Sequence, residues 1–114
     1  MKIRGIKIIV KKDKDDPQIR EFHGRVRLSR FSEFYGGPDD VAEFNEMEKA
    51  PNNAYLLADK LFQIQGVQSV EISGYIVVVQ ISAAFQWSEV ILKIAESIRA
   101  YVSVQKLMSD SSKD

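Results

Sequence analysis

Leu57-Ala58-Asp59-Lys60-Leu61-Phe62-Gln63-Ile64-Gln65-Gly66-Val67-Gln68-Ser69-Val70 decides the fold, because its hydrophobic period changes in the middle. Up to Phe62, the residues Ala54, Leu57, Ala58, Leu61 and Phe62 recur every three or four positions and form one helical stripe. After Gly66, Val70 and Ile72 alternate at period two, as on a strand. Gly66 stands where a helix needs a C-terminal cap. Asn52 or Asn53 supplies the N-terminal one, its side chain accepting from exposed backbone N–H groups. A helix that turns back as a strand, each with one apolar face, is the seed of an α+β layer.

Towards the C-terminus, Val67 to Ile72 is followed by Ser73-Gly74, a hairpin-type turn. Tyr75 to Ile81 is then a nearly continuous apolar strand. Trp87, Val90, Ile91, Ile94, Ile98 and Val102 mark the longest helix. Towards the N-terminus, Ile6, Ile8 and Val10 place a strand over residues 3–10, and Asp13 to Pro17 is a turn. A second strand is read over residues 19–28. On it Phe22, Gly24, Val26 and Leu28 point one way, and His23, Arg25 and Arg27 the other.

Between Arg30 and Pro51, Gly36-Gly37-Pro38-Asp39-Asp40 is a strong breaker. Val41-Ala42-Glu43-Phe44 reads as a possible short strand, and Asn45 to Lys49 as a turn or helical turn. The pattern is ββ–β–α–ββ–α. It predicts an α+β fold with a mostly antiparallel sheet, built from two hairpins plus the short strand, and two helices on one face. One domain covers residues 1–107, and residues 108–114 form a polar tail.

With 114 residues and 45% hydrophobic content the chain is long enough for one compact domain with a real core. It holds no cysteine, which excludes disulfides, thiolate zinc sites, a Cys nucleophile and thiolate-held clusters. The start MKIRGIKIIVKKDK lacks the apolar core of a secretion signal, and no apolar run approaches a membrane span. A cytosolic protein is the expectation. Formal charge is zero overall but segregated. Residues 1–30 carry ten Lys or Arg against four Asp or Glu, and residues 31–60 carry two against seven. The simplest expectation is that the two segments lie side by side and neutralise each other.

The stretch from Leu57 to Ile98 resembles the N-terminal domain of the NifU/Nfu family of iron–sulfur scaffold proteins. Leu57-Ala58, Leu61-Phe62, then Ile64-Gln65-Gly66-Val67 and Val70 match its helix–turn–strand motif. Gly74-Tyr75-Ile76-Val77-Val78 resembles its second hairpin strand, and Trp87 with Val90 and Ile91 the aromatic start of its last helix. Upstream, Ala42-Glu43-Phe44 resembles a short strand of the family. Asp16-Pro17 stands where the family has an Asn-Pro turn, and Glu21-Phe22 where it has Lys-Phe. These two departures put any ligand role of that turn in doubt. The resemblance spans about Ile6 to Val102. In the family, cluster chemistry belongs to a separate domain with a Cys-x-x-Cys pair. The resemblance therefore implies an accessory domain that holds no cluster itself and acts through protein contacts, with no cofactor.

His23 is the single histidine and cannot make a metal site alone. With Arg25 and Arg27, and with Arg20 and Lys7, it could form a basic strand face for an acidic partner or nucleic acid. That row lacks interleaved aromatics, which makes nucleic acid the weaker of the two. Asp39-Asp40 and Asp13, Asp15 and Asp16 match no calcium loop and read as turn chemistry. Gly36-Gly37 lacks the following Lys-Ser/Thr of a phosphate loop.

If Val77, Val79 and Ile81 face the helices, Tyr75, Ile76 and Val78 face away. Either residues 31–50 cover them, which is the expectation, or they are an apolar patch for a protein partner. The expected function is a non-enzymatic interaction module, tied to iron–sulfur assembly by the resemblance. The alternative is an acidic-ligand or nucleic-acid binder using His23, Arg25 and Arg27. No nucleophile and base stand paired in the sequence, so an enzyme is the least expected class.

Overall fold

Antiparallel pairing joins five strands in the order β1-β2-β5-β4-β3 in the computed structural model, which describes residues 7–46 and 54–111. The strands are β1 (Ile9–Lys12), β2 (Ile19–His23), β3 (Ser29–Tyr35), β4 (Val67–Gly74) and β5 (Ile76–Ile81). The helices are α1 (Pro38–Glu46), α2 (Ala54–Phe62) and α3 (Trp87–Ser111). The class is α+β, as expected, and both expected hairpins form: β1 with β2, and β4 with β5.

One face of the sheet carries the core. Phe22, Val70, Ile72, Val77, Val79 and Ile81 meet Leu57, Ala58 and Leu61 of α2 and Val90, Ile94 and Ile98 of α3 in a single buried cluster. The helical stripe of α2 is realised as read, with Ala54, Leu57, Ala58 and Leu61 fully buried. Ile8 and Val10 pack against the same cluster. The first strand itself occupies Ile9–Lys12, later than the expected 3–10, of which residues 1–6 lie outside the described ones. The capping asparagines also lie outside them.

Several expectations are corrected. The possible short strand at Val41–Phe44 is part of helix α1, and the third strand is instead β3. The described residues therefore hold three helices rather than two. The breaker was read only as a stop, whereas it also starts a helix. Pro38 is the first helical residue, where its missing N–H costs nothing, and Asp39 and Asp40 favour the positive end of the helix. Asp40 also accepts from the Gly36 N–H at 2.6 Å.

β3 escaped because its polarity is inverted. It buries Ser29, Glu33 and Tyr35, while Phe34 is 60% exposed. The buried carboxylate is satisfied: the Ser29 hydroxyl donates to it at 3.0 Å and the Tyr35 hydroxyl donates to its other oxygen. Burial first, then the Glu33 charge, pushes the Tyr101 hydroxyl up to about 12. Burial and the Glu33 hydrogen bond raise the Tyr35 hydroxyl as well.

The third correction concerns residues 19–28, which are not one strand. β2 stops at His23, and residues 24–28 cross the tip of the β4–β5 hairpin to reach β3. The Gly24 N–H donates to the Tyr75 carbonyl at 2.9 Å and the Leu28 N–H to the Gly74 carbonyl at 2.7 Å. The hairpin pairs Ser73 with Ile76, which puts its turn at Gly74-Tyr75, one residue later than read. Gly74 there adopts φ 59°, a left-handed conformation that suits glycine.

The fourth correction is electrostatic. Only part of the basic segment adjoins the acidic one: β1 and β2 lie at the opposite end of the strand order from β3, whereas residues 24–28, with Arg25 and Arg27, run directly into β3. At the C-terminus, α3 continues through residues 108–111, which were read as tail. Among the described residues no helix is long and apolar enough to cross a membrane.

Candidate functional site

Period two gives a strand two faces, so the side of the sheet away from the helices is fixed by the register. Two rows of directly paired residues cross it. One runs Lys11, Glu21, Val78, Glu71, Phe34 and the other Ile9, His23, Ile76, Ser73, Ser32. Ile9, Phe34, Ile76 and Val78 take no part in the core cluster or in the layer packed against it. Ile9 is 47% and Phe34 60% exposed, and Ile76 and Val78 are half-buried between neighbouring strands.

The expected cover by residues 31–50 is not found. Residues 29–35 extend the sheet at its edge, and residues 38–46 pack as α1 against α2. Residues 47–50 lie outside the described ones. The apolar-patch alternative is therefore what the described residues present.

The His23 ring nitrogen and a Glu21 oxygen lie 2.8 Å apart, two residues along one strand face. Glu71 accepts from the Ser32 hydroxyl at 3.2 Å and has no ion pair among the described residues. Val78 thus stands between two carboxylates, one on each neighbouring strand.

The structure redistributes the expected site residues. His23 and Ile76 are paired neighbours, which joins two separately read candidates into one surface. Tyr75, 49% exposed, stands at the hairpin tip beside the crossing segment. Arg25 and Arg27 are exposed on that segment and do not share a strand face with His23, because the strand ends there. Arg20 points the other way: it pairs with Val79, and its guanidinium lies 5.1 Å from the centroid of the Trp87 ring. The Trp87 N–H donates to the Pro17 carbonyl at 2.8 Å, which fastens the Asp-Pro turn to the start of α3.

Sequence reading missed Glu21, Glu71 and Phe34. Glu21 carried a usable signal, since it shares the parity of His23. Phe34 carried none, because nothing in the sequence says that β3 turns its aromatic outwards.

Of the acidic clusters, Asp13 to Asp16 behaves as turn chemistry, whereas Asp39 and Asp40 lie in the first turn of α1. Asp13 accepts from the N–H groups of Asp15 at 3.0 Å and Asp16 at 2.8 Å, and Asp16 accepts from Gln18 at 2.8 Å. Among the described residues no group of three or more His, Cys, Asp or Glu could hold a metal ion. With no cysteine in the chain, these residues do not fit a thiolate-held iron–sulfur cluster.

Residues 31–105 match the family model described as scaffold protein Nfu/NifU N terminal. No curated protein matches the chain. The crystal structure of protein SAV1430 from Staphylococcus aureus is similar over 81% of this chain and 98% of that one, with a TM-score of 0.57 and 17% sequence identity. That likeness is one of fold.

Proposed function

Because the chain belongs to the Nfu/NifU N-terminal family, we propose that it is a non-enzymatic interaction domain of iron–sulfur cluster assembly. It engages an assembly protein through the uncovered sheet face and leaves the thiolate ligands of the cluster to that partner. The supporting observation is that Ile76, Val78 and Phe34 lie on a face that no described element covers. Exposed apolar groups rimmed by polar ones are the usual mark of a protein-binding surface. The cluster is then cargo of the partnership, since this chain has no thiolate to offer.

A nucleic-acid partner is disfavoured. Glu21 and Glu71 stand in the middle of the face and would repel a phosphate backbone, and His23 is engaged by Glu21.

The test is affinity capture of the tagged wild type and a Val78→Arg variant from native lysate, with identification by mass spectrometry. Iron–sulfur assembly proteins recovered with the wild type and lost with the variant support the reading. Recovery of no such protein with the wild type, or equal recovery with both, overturns it.

A further inference from the structure

The partner surface for this face has a definable chemistry, an inference that rests on the reading of the face as protein-binding. From the register we infer that the occupant is a cationic amphipathic helix of the partner, laid along β5, with Lys or Arg on both flanks of its apolar stripe.

The width of the site argues for this. Glu21 on β2 and Glu71 on β4 flank Val78 on β5 in one row. Adjacent strands lie about 4.8 Å apart, so the two carboxylate-bearing positions are separated by roughly 10 Å. A helix with its side chains is about 10–12 Å across. A helix lying over β5 thus sets its apolar stripe on Ile76 and Val78 and brings one flank over each glutamate. Phe34, one strand beyond Glu71, is the exposed aromatic at the margin. The basic residue on the same row, Lys11, lies outside Glu21 at the opposite edge. The central strip is therefore the acidic part.

Other occupants fit less well. β5 is paired on both sides, by β2 and β4, so an extended peptide could add only at the sheet edges and not over Val78. A second copy packed face to face would bring Glu21 and Glu71 against the same carboxylates, and like charges in a closing interface are repulsive. A helix is also what covers the opposite face of this sheet, through α2 and α3.

The test uses two synthetic helical peptides with one apolar stripe, flanked by Lys in one and by Glu in the other. Each is titrated into the isotope-labelled protein and followed by amide chemical shifts. The Lys-flanked peptide shifts amides of β2, β5 and β4 and binds about tenfold more tightly than the Glu-flanked one, from two exposed charge pairs. A Glu21→Lys/Glu71→Lys variant reverses that order. Equal affinities, an unreversed order or shifts confined to the helical side overturn the inference.

A second arm separates it from the functional reading. If lysate capture is lost with Val78→Arg but kept with Glu21→Gln/Glu71→Gln, the charge inference falls and the face remains the binding site. If capture survives both, the two fall together. The substituted residues all project from the uncovered face, and a well-dispersed amide spectrum verifies that each variant is folded.

Discussion

At the scale of single residues, Gly66 illustrates a requirement only partly legible in sequence. It was read as a helix cap, yet α2 ends at Phe62 and Gly66 lies in the turn that leads into β4. Its φ of 105° is strained for any residue with a side chain, and a Cβ there would come within 2.8 Å of the Phe85 ring. Gly66→Ala should cost about 2–3 kcal/mol. In urea unfolding, the midpoint should fall with an unchanged slope. The buried Glu33 was illegible for the opposite reason. Periodicity registers apolar side chains, and β3 turns a carboxylate inwards among hydroxyls. It has a pH consequence. Tyr101 stays protonated up to about 12 in the fold, above the ordinary value of 10.0. The stability this contributes is complete below pH 10 and is lost as pH rises through about 12. An absorbance titration should show a tyrosine that ionises only in that window, and Tyr101→Phe should remove the step.

At the scale of elements, sequence reading succeeded where one face of an element is apolar and failed where it is not. α2, β4, β5 and α3 have that pattern and start within a residue of where they were expected, while the C-terminal ends of both helices were misplaced by several residues. β3 lacks it, and the boundary between β3 and α1 was hidden in a glycine–proline cluster that both ends a strand and begins a helix. The start of α3 carries a joint that periodicity also misses. Trp87 contributes more than apolar area, because its N–H holds the Pro17 carbonyl and its ring carries Arg20. Trp87→Phe keeps most of the packing, loses the hydrogen bond and weakens the contact with Arg20. It should lower stability by about 1–2 kcal/mol, measured by denaturant unfolding. Protection of the Asp13–Gln18 turn against hydrogen exchange should fall with it.

At the scale of the whole molecule, the sheet divides adjacent residues into opposite fates. Val77 is fully buried under the helices and Val78 stands on the uncovered face. Val77→Arg buries an unpaired charge and should prevent folding or cost more than about 3 kcal/mol. Val78→Arg should change stability by no more than about 1 kcal/mol. Far-ultraviolet circular dichroism and thermal unfolding of the two variants check the assignment of faces. The candidate site was half legible in this sense. Parity along one strand placed Ile76 and Val78 together, but their carboxylate neighbours come from other strands and depend on register.

The crossing of residues 24–28 over the β4–β5 tip has a bearing on how the chain is made. β2 and β3 are consecutive in sequence, yet they do not pair with each other, because the β4–β5 hairpin lies between them. As the polypeptide leaves the ribosome, the first hairpin can close early, whereas β3 has nothing to pair with until residues 67–81 have emerged. Both flanking strands must wait with open edges for the central pair to be synthesised and inserted. The last stretch of sheet to be translated is therefore the one that completes it.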